Sequence, residues 1–157
     1  MSSLLHDVRP HHASIAVTDM ARAIEWYHQV FGFDVVTQFH VGGIPADGAF
    51  LRGPGIMLEL WCAHGVAPVP EARKVPDSDL RTAGTKHLAF TVENLQQQLT
   101  RLVHAGVDIA AVQRMPGQPM RPDVAPLGPG KPAVFAVFIR DPFGTLIEVL
   151  ERGRAPA

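Results

Sequence analysis

The chain has 157 residues, enough for one compact domain with a hydrophobic core. Its net charge of −1 lacks the basic excess typical of proteins that bind nucleic acid or anionic membranes, so we expect neither partner. The single cysteine, Cys62, excludes an internal disulfide framework and a thiolate-rich metal site. No apolar run is long enough to span a bilayer, and the first residues lack a signal-peptide pattern. These features predict a cytoplasmic protein.

The first elements predicted along the chain are a strand and a helix. His12 begins a strand in which Ile15 and Val17 share one face, while His12 shares the other face with small residues only. Asp19 is a favourable N-cap for the helix that follows, and Gly32 is a favourable residue for ending it.

Three more strands are expected before the middle of the chain. Proline and glycine separate them, and each is rich in apolar residues. In the last of them Met57, Glu59 and Trp61 share a face, because side chains alternate along a strand. The expected strands cover residues 34–39, 49–52 and 56–61.

The pattern then restarts after a Pro- and charge-rich stretch, residues 64–84, which predicts a linker. His87 begins a strand that again carries His among small residues. Asn94 and Gln97 resemble a capping box at the start of a helix, and Gly106 predicts its end. Further strands are expected at residues 107–112 and 133–139.

A turn and one last strand close the second half. Asp141 and Pro142 open the turn, and Gly144 can take the positive φ that completes it. The strand beyond it is apolar except for Glu148, whose burial would be costly unless it were paired or bound to metal. A segment at 115–132, rich in Pro and Gly, predicts a long surface loop inserted before this turn.

The two halves therefore repeat one supersecondary unit. Each opens on a strand that carries His and closes on a strand that carries Glu. In both halves a glycine precedes that glutamate by four residues, as Gly55 does Glu59 and Gly144 does Glu148. We predict an α+β fold in which two βαβββ modules follow each other within one domain, at about residues 8–63 and 85–152.

The repeat also suggests chemistry. A histidine surrounded by small residues is suited to lining a cavity, whereas its neighbour His11 points to the other face and is expected to be structural. If the two modules pair about a pseudo-two-fold axis, two histidines and two glutamates can converge. Such a mixed nitrogen and oxygen donor set favours Zn, Ni, Co, Mn or Fe(II).

Five short motifs in the same order resemble the vicinal oxygen chelate superfamily, which includes glyoxalase I, bleomycin resistance proteins and extradiol dioxygenases. The resemblance implies that the modules form a U-shaped mixed sheet around one divalent metal ion. It covers nearly the whole chain. The motifs are His12 to Asp19 with the Ala-Ile-Glu-Trp-Tyr helix, Phe31-Gly32-Phe33, Leu58-Glu59-Leu60, the strand from His87 to Val92, and Asp141-Pro-Phe-Gly to Glu148.

Matched motif by motif, the resemblance implies metal ligands at His12, Glu59, His87 and Glu148. This His, Glu, His, Glu pattern is similar to that of glyoxalase I. Dioxygenases of the superfamily use two histidines and one glutamate, with no ligand from the position of Glu59. The expected reaction is therefore that of a lyase or isomerase, a proton transfer next to a metal-bound carbonyl through an enediolate.

In this interpretation Glu148 is the catalytic base, with Glu59 as its symmetric counterpart. Met57 and Trp61 share the face of Glu59 and are expected to line the pocket of a small-molecule substrate. No residues match the glutathione-binding positions of glyoxalase I. The sequence therefore does not decide whether glutathione is the cosubstrate.

Two alternatives remain at this level, an Fe(II)-dependent extradiol-type dioxygenase and a non-catalytic protein that binds antibiotics. The ligand at the position of Glu59 argues against the first, and the intact set of four metal residues argues against the second. A homodimer is expected, with the ligands drawn from one chain or from two.

Overall fold

A computed structural model of the chain describes residues 4, 6–124 and 134–153. The chain divides into two compact units, Met1–Ala67 and Pro68–Ala157. Each unit holds a four-stranded mixed sheet with the same strand order, so the predicted α+β fold of tandem βαβββ modules is confirmed. Among the described residues, no helix combines the length and apolar character needed to cross a membrane.

The first unit follows the predicted element order. Its first strand pairs in parallel with its last, and the remaining pairs are antiparallel, giving the order β1-β4-β3-β2. Strands β2 and β3 are longer than predicted because their ladder continues to Val41 and Ala46 at the hairpin. The elements are β1 His12–Ala16, α1 Met20–Phe31, β2 Asp34–Val41, β3 Ala46–Arg52 and β4 Met57–Ala63.

The second unit repeats this arrangement, with the order β5-β8-β7-β6 and a parallel pair between β5 and β8. Even the β-bulge in the second strand recurs, between Val35 and Thr37 in one unit and between Ile109 and Ala111 in the other. The elements are a 3-10 turn Glu71–Arg73, α2 Pro76–Asp79, β5 Leu88–Val92, α3 Leu95–His104, β6 Asp108–Gln113, β7 Ala136–Arg140 and β8 Leu146–Glu151.

Helix α1 begins and ends where its local sequence predicts. The Asp19 carboxylate accepts a hydrogen bond of 3.0 Å from the Arg22 backbone N–H, as an N-cap should. Gly32 takes a left-handed conformation with φ 72° and ends the helix. Ala23 and Tyr27 are completely buried, so the core-facing stripe of the helix is centred on them.

Helix α3 ends near Gly106 as predicted, but the capping box predicted from Asn94 and Gln97 is wrong. Asn94 has φ 55° and makes no side-chain cap. Instead the Glu151 carboxylate, at the end of β8, accepts hydrogen bonds from the backbone N–H groups of Asn94 (3.0 Å) and Leu95 (2.7 Å). A negative charge at a helix N-terminus is favourable, so the last strand of the unit stabilises the start of its helix.

The stretch predicted as a linker, residues 64–84, contains the 3-10 turn and α2, and within α2 Pro76 and Asp79 are buried. Ion pairs with Arg73 and Lys86 account for the burial of the Asp79 carboxylate, since a carboxylate is seldom buried without a partner. The sequence pattern alone did not predict this packing.

The described part of the inserted segment is more than a surface loop. Arg121 forms a backbone bridge to Val112, in which the Val112 N–H donates to the Arg121 carbonyl at 2.6 Å. Met120 packs against a buried cluster that includes Ala136 and Phe138. The rest of the insert, and the predicted start of the next strand at Ala133, lie outside the described residues.

The turn before β8 has the predicted form. Gly144 has φ 96°, and the Asp141 side chain is almost completely buried, at 4% exposure of the residue. Its Oδ1 accepts hydrogen bonds from the backbone N–H groups of Phe143 (2.9 Å) and Thr145 (2.8 Å). One carboxylate therefore fixes the turn that sets where β8, and with it Glu148, begins.

Replacing Asp141 by Ala should lower the free energy of unfolding by about 3 kcal/mol, because two backbone N–H groups lose a charged acceptor. Asp141→Asn, which keeps one side-chain oxygen as an acceptor, should cost clearly less. Urea unfolding of the three proteins checks the ranking. Equal stability of the Ala variant and the wild type would contradict this role for the turn.

Candidate metal-binding and catalytic site

The faces predicted for the strands are those found. In β4, Leu58 and Leu60 are completely buried, while Met57, Glu59 and Trp61 on the opposite face are only partly buried. The alternation expected for a strand with one face in the core thus places Glu59 and its two neighbours on the second face of the sheet.

His12 and Glu59 lie side by side on that face. Strand β1 pairs in parallel with β4, with His12 opposite Met57 and Ser14 opposite Glu59. The histidine is therefore diagonal to the glutamate across two adjacent strands. The distance between His12 Nε2 and Glu59 Oε2 is 3.4 Å.

The second unit holds an equivalent pair with the same register. Ala89 lies opposite Glu148 in the parallel pair of β5 and β8, and His87 directly precedes β5. The distance between His87 Nε2 and Glu148 Oε2 is 3.0 Å. In both pairs the histidine side chain is about a third exposed (32% and 29%) and the glutamate less (15% and 17%), so both pairs are shielded but accessible.

A phenylalanine accompanies each pair, and the sequence analysis missed both. Phe50 lies opposite Glu59 in the antiparallel ladder and meets the His12 ring edge-to-face, with centroids 5.4 Å apart. Phe138 lies opposite Glu148 and meets the His87 ring in the same way, also at 5.4 Å. Each ring restricts the orientation of its imidazole.

The sequence did carry a signal for these rings. The segments are Ala49-Phe50-Leu51-Arg52 and Val137-Phe138-Ile139-Arg140, which share a Phe, an aliphatic residue and an Arg in order. The repeat was recognised from the first and last strands of the two halves, whereas these rings lie on the third strand of each half.

The electrostatic environment of Glu59 favours its ionised form. A hydrogen bond from the Trp61 side chain is the largest cause that lowers the pKa of Glu59 below its usual value. Ser14 and His12 act in the same direction, and together these partners outweigh the opposing effect of desolvation. Glu59 thus remains a carboxylate, the form that binds a metal ion.

Replacing Trp61 by Phe should raise the pKa of Glu59, because the ring stays but the indole N–H donor is lost. In the wild type this contact stabilises the folded state fully at pH values above the unfolded-state pKa of Glu59. The stabilisation is lost as the pH falls through the lower pKa that Glu59 has in the folded state. Carboxyl-carbon NMR titration of the metal-free protein measures the pKa of Glu59. Trp26→Phe is the matched control, and an unchanged Glu59 titration in Trp61→Phe would exclude the contact.

His11, which was expected to point to the other face and to be structural, contacts the ring of His12. Its Nδ1 lies 2.7 Å from Nδ1 of His12, and the two rings are edge-to-face. One of these two nitrogens donates and the other accepts. When His12 carries its proton on Nδ1 and donates to His11, its Nε2 has a lone pair on the side of Glu59.

The first unit also presents an aromatic wall, formed by Phe39, Phe50 and Trp61. The Phe39 ring meets Trp61 edge-to-face at 5.3 Å and lies 5.6 Å from Phe50 between centroids. It covers Gly48, where a Cβ would lie only 2.2 Å from the ring, so only glycine fits there. The wall stands on the face of Glu59 and extends the apolar surface that Trp61 and Met57 were predicted to provide.

The corresponding region of the second unit is packed differently. Ala136 occupies the place of Gly48 in the ladder and Leu150 that of Trp61. Met120 from the inserted segment and Leu150 pack against the cluster formed by Ala136, Phe138 and Ala111. The apolar surface is thus aromatic and partly exposed in the first unit, whereas in the second it packs against Met120 of the insert.

The structure brings the predicted site residues together as two pairs. Among the described residues, no group of three or more His, Cys, Asp or Glu side chains forms a metal-binding cluster. Within each pair, however, the chemistry fits a divalent ion. Two ligands that each bind an ion at about 2.1 Å in neighbouring positions are about 3 Å apart, close to the 3.0 and 3.4 Å found here.

The comparison with family models agrees with the fold. Residues 9–149 match the model described as the Glyoxalase/Bleomycin resistance protein/Dioxygenase superfamily. The chain belongs to this superfamily. No curated protein matches the chain significantly in sequence.

Solved structures show the same fold at low sequence identity. A glyoxalase family protein from Enterococcus faecalis is 20% identical with a TM-score of 0.69, over 94% of this chain and all of that one (100%). The trypanothione-dependent glyoxalase I of Leishmania major is 24% identical with a TM-score of 0.63, over 92% and 87% of the two chains. Glyoxalase I of Zea mays is 22% identical with a TM-score of 0.64, over 92% of this chain and 44% of that one.

Proposed function

We propose that the protein is a divalent-metal-dependent lyase or isomerase of the glyoxalase I type. Its substrate would be a small molecule with a carbonyl group next to a carbon that can lose a proton. The observation that supports this proposal best is the pair of matched His–Glu contacts, at 3.4 Å in one unit and 3.0 Å in the other. Two accidental contacts would not share strand register, exposure and an aromatic neighbour.

The ligands in this proposal are His12, Glu59, His87 and Glu148. They provide two imidazole nitrogens and two carboxylate oxygens, a donor set suited to Ni, Zn, Co, Mn or Fe(II). When bound, such an ion polarises a carbonyl oxygen and stabilises the negative charge that develops there. His11 and the two phenylalanines would hold the imidazoles in the orientation that ligation needs.

Glu148 is the better candidate for the base that takes the proton. The hydrogen bonds from Trp61 and Ser14 that lower the pKa of Glu59 also make it a weaker base. Glu148 lies on the strand whose start is fixed by Asp141, with a side chain that is 17% exposed and thus accessible to a small molecule. In our proposal Glu148 Oε2 accepts the proton and returns it to the neighbouring carbon.

The aromatic wall would bind the rest of the substrate. Trp61 and Phe39 offer partly exposed ring surface beside Glu59, and Met57 adds flexible apolar surface opposite His12. An apolar or aromatic substituent on the substrate would pack there, while the carbonyl faces the His–Glu pairs.

The direct test is turnover of hemithioacetals formed by a 2-oxoaldehyde with glutathione or with another thiol. We expect turnover after loading with Ni, Zn, Co or Mn, and its loss after chelation. Two thiols are compared because the sequence does not identify the thiol that serves as cosubstrate. Absence of turnover with every metal and thiol would contradict the lyase or isomerase assignment.

One observation favours a second candidate, an Fe(II) extradiol-type dioxygenase. Trp61 and Ser14 already hydrogen-bond to the carboxylate of Glu59. A facial triad without Glu59 would then consist of His12, His87 and Glu148. Glu59→Gln separates the two functions. It should weaken metal binding in a lyase or isomerase, but leave Fe(II) binding and oxygen uptake with a catechol unchanged in a dioxygenase.

A third function, antibiotic binding without catalysis, would be supported by metal-free protein that binds such ligands.

The proposal further includes a homodimer in the cytoplasm. A molar mass from light scattering of twice the 17.0 kDa of one chain would support the dimer.

A further inference from the structure

A cavity of about 260 Å³ lies in the second unit, separate from the His–Glu pair of that unit. It is bordered by the segment before α2, by the residue that precedes His87, and by the end of the turn before β8. Its lining combines two cations, one hydroxyl group and apolar side chains. The lining residues are Val69, Pro70, Arg73, Lys86, Thr145 and Leu146.

The two cations of the cavity share a single buried anion. Arg73 Nε lies 2.5 Å from Asp79 Oδ1, and Lys86 Nζ lies 3.7 Å from the same oxygen. The Asp79 side chain is only 2% exposed, and those of Arg73 and Lys86 are 29% and 22% exposed. The nearby Glu71 is paired with Lys74 at 2.5 Å. One positive charge is therefore in excess at the wall of the cavity.

Both cations are held in place by the backbone. An Nη2–H of Arg73 donates to the Thr85 carbonyl, and Lys86 Nζ donates to the Asp79 carbonyl at 2.6 Å. A guanidinium has five N–H donors and an ammonium has three. These contacts leave donors on both groups to meet a ligand, and the fixed geometry lowers the entropic cost of binding.

The opposite wall is anchored to the same segment. Arg140 Nε donates to the Lys74 carbonyl at 2.7 Å, and the Lys74 stem packs over Gly144, where a Cβ would lie 2.8 Å from it. Thr145 and Leu146, which follow directly, are thereby held against the segment that carries Arg73. The cavity is thus lined by two segments tied to each other.

We infer that this cavity binds the carboxylate of a small organic acid. One carboxylate matches the single excess positive charge, with Arg73 and Lys86 as donors to its oxygens. Val69, Pro70 and Leu146 provide apolar surface for a short hydrocarbon chain. The site uses none of the four metal ligands, so it does not depend on the proposed function.

The test uses the metal-free protein, in which no metal can bind the probe. Butanoate is titrated while amide NMR shifts are recorded, and neutral butanamide serves as the probe of the same shape. We expect saturable shifts at Arg73, Lys86 and Thr145 with butanoate, and at least tenfold weaker binding of butanamide. Equal binding of the two probes, or no saturable shift at these residues, would overturn the inference.

Matched variants locate the charge. Lys86→Met removes the excess charge while Arg73 still pairs with Asp79, and should weaken butanoate binding at least tenfold. Arg101→Met removes an exposed cation of α3 that does not line the cavity and should leave the affinity unchanged. Equal affinity in Lys86→Met and the wild type contradicts the assignment, and the comparison of butanoate with butanamide decides it if Lys86→Met does not fold.

Discussion

Replacing Glu148 by Gln should lower kcat by about two to four orders of magnitude, the range expected for loss of a general base. The amide keeps the size of the side chain and one oxygen, but it cannot accept the proton. Because the Glu148 side chain is partly exposed and not part of the core, the free energy of unfolding should change little. Steady-state kinetics on the metal-loaded protein, together with urea unfolding, measure both quantities.

Glu151→Gln is the matched control on the same strand. Glu151 caps α3 through two backbone N–H groups, so its amide variant should lose about 1 kcal/mol of stability and keep its kcat. The two variants thus predict opposite patterns, one in catalysis and one in stability. If Glu148→Gln keeps wild-type kcat, Glu148 is not the base.

Replacing either His12 or His87 by Ala should weaken metal binding by at least about 100-fold, more than the loss of an outer partner usually costs. If one ion takes ligands from both pairs, the two losses should be similar, and each should reduce kcat along with metal content. Competition with a chelating dye measures the affinity. The exposed His28, which interacts with Asp34 at 3.1 Å, provides the control His28→Ala.

Unequal losses would change the interpretation. If only His87→Ala abolishes binding, the site belongs to the second unit alone, and the register shared by the two pairs has no functional meaning. If neither variant affects binding, the histidines are not ligands.

Much of the fold follows from local chemistry in the sequence. Asp19 and Gly32 bound α1 because capping and a left-handed stop need only near neighbours. The repeat extended this local information: it matched Glu59 with Glu148, and the same register in both units follows from it. Alternation along β4 likewise placed Glu59 on the face opposite the core.

The features that the sequence did not predict depend on contacts between different elements of the fold. Glu151 lies far along the chain from the helix it caps, so the local Asn94 pattern was misleading. Asp79 is buried because Arg73 and Lys86, which come from outside α2, pair with its carboxylate. Such partners become neighbours through strand pairing and turns, and periodicity within one element does not reveal them.

The most direct measurement for the central claim is the metal content of the purified chain, combined with X-ray absorption spectroscopy of the bound ion. We predict one divalent ion per chain, with two imidazole ligands and carboxylate oxygens, and loss of one imidazole in His12→Ala and in His87→Ala alike. A chain that binds no divalent ion, or an ion whose ligands are the same in both variants as in the wild type, would contradict the account.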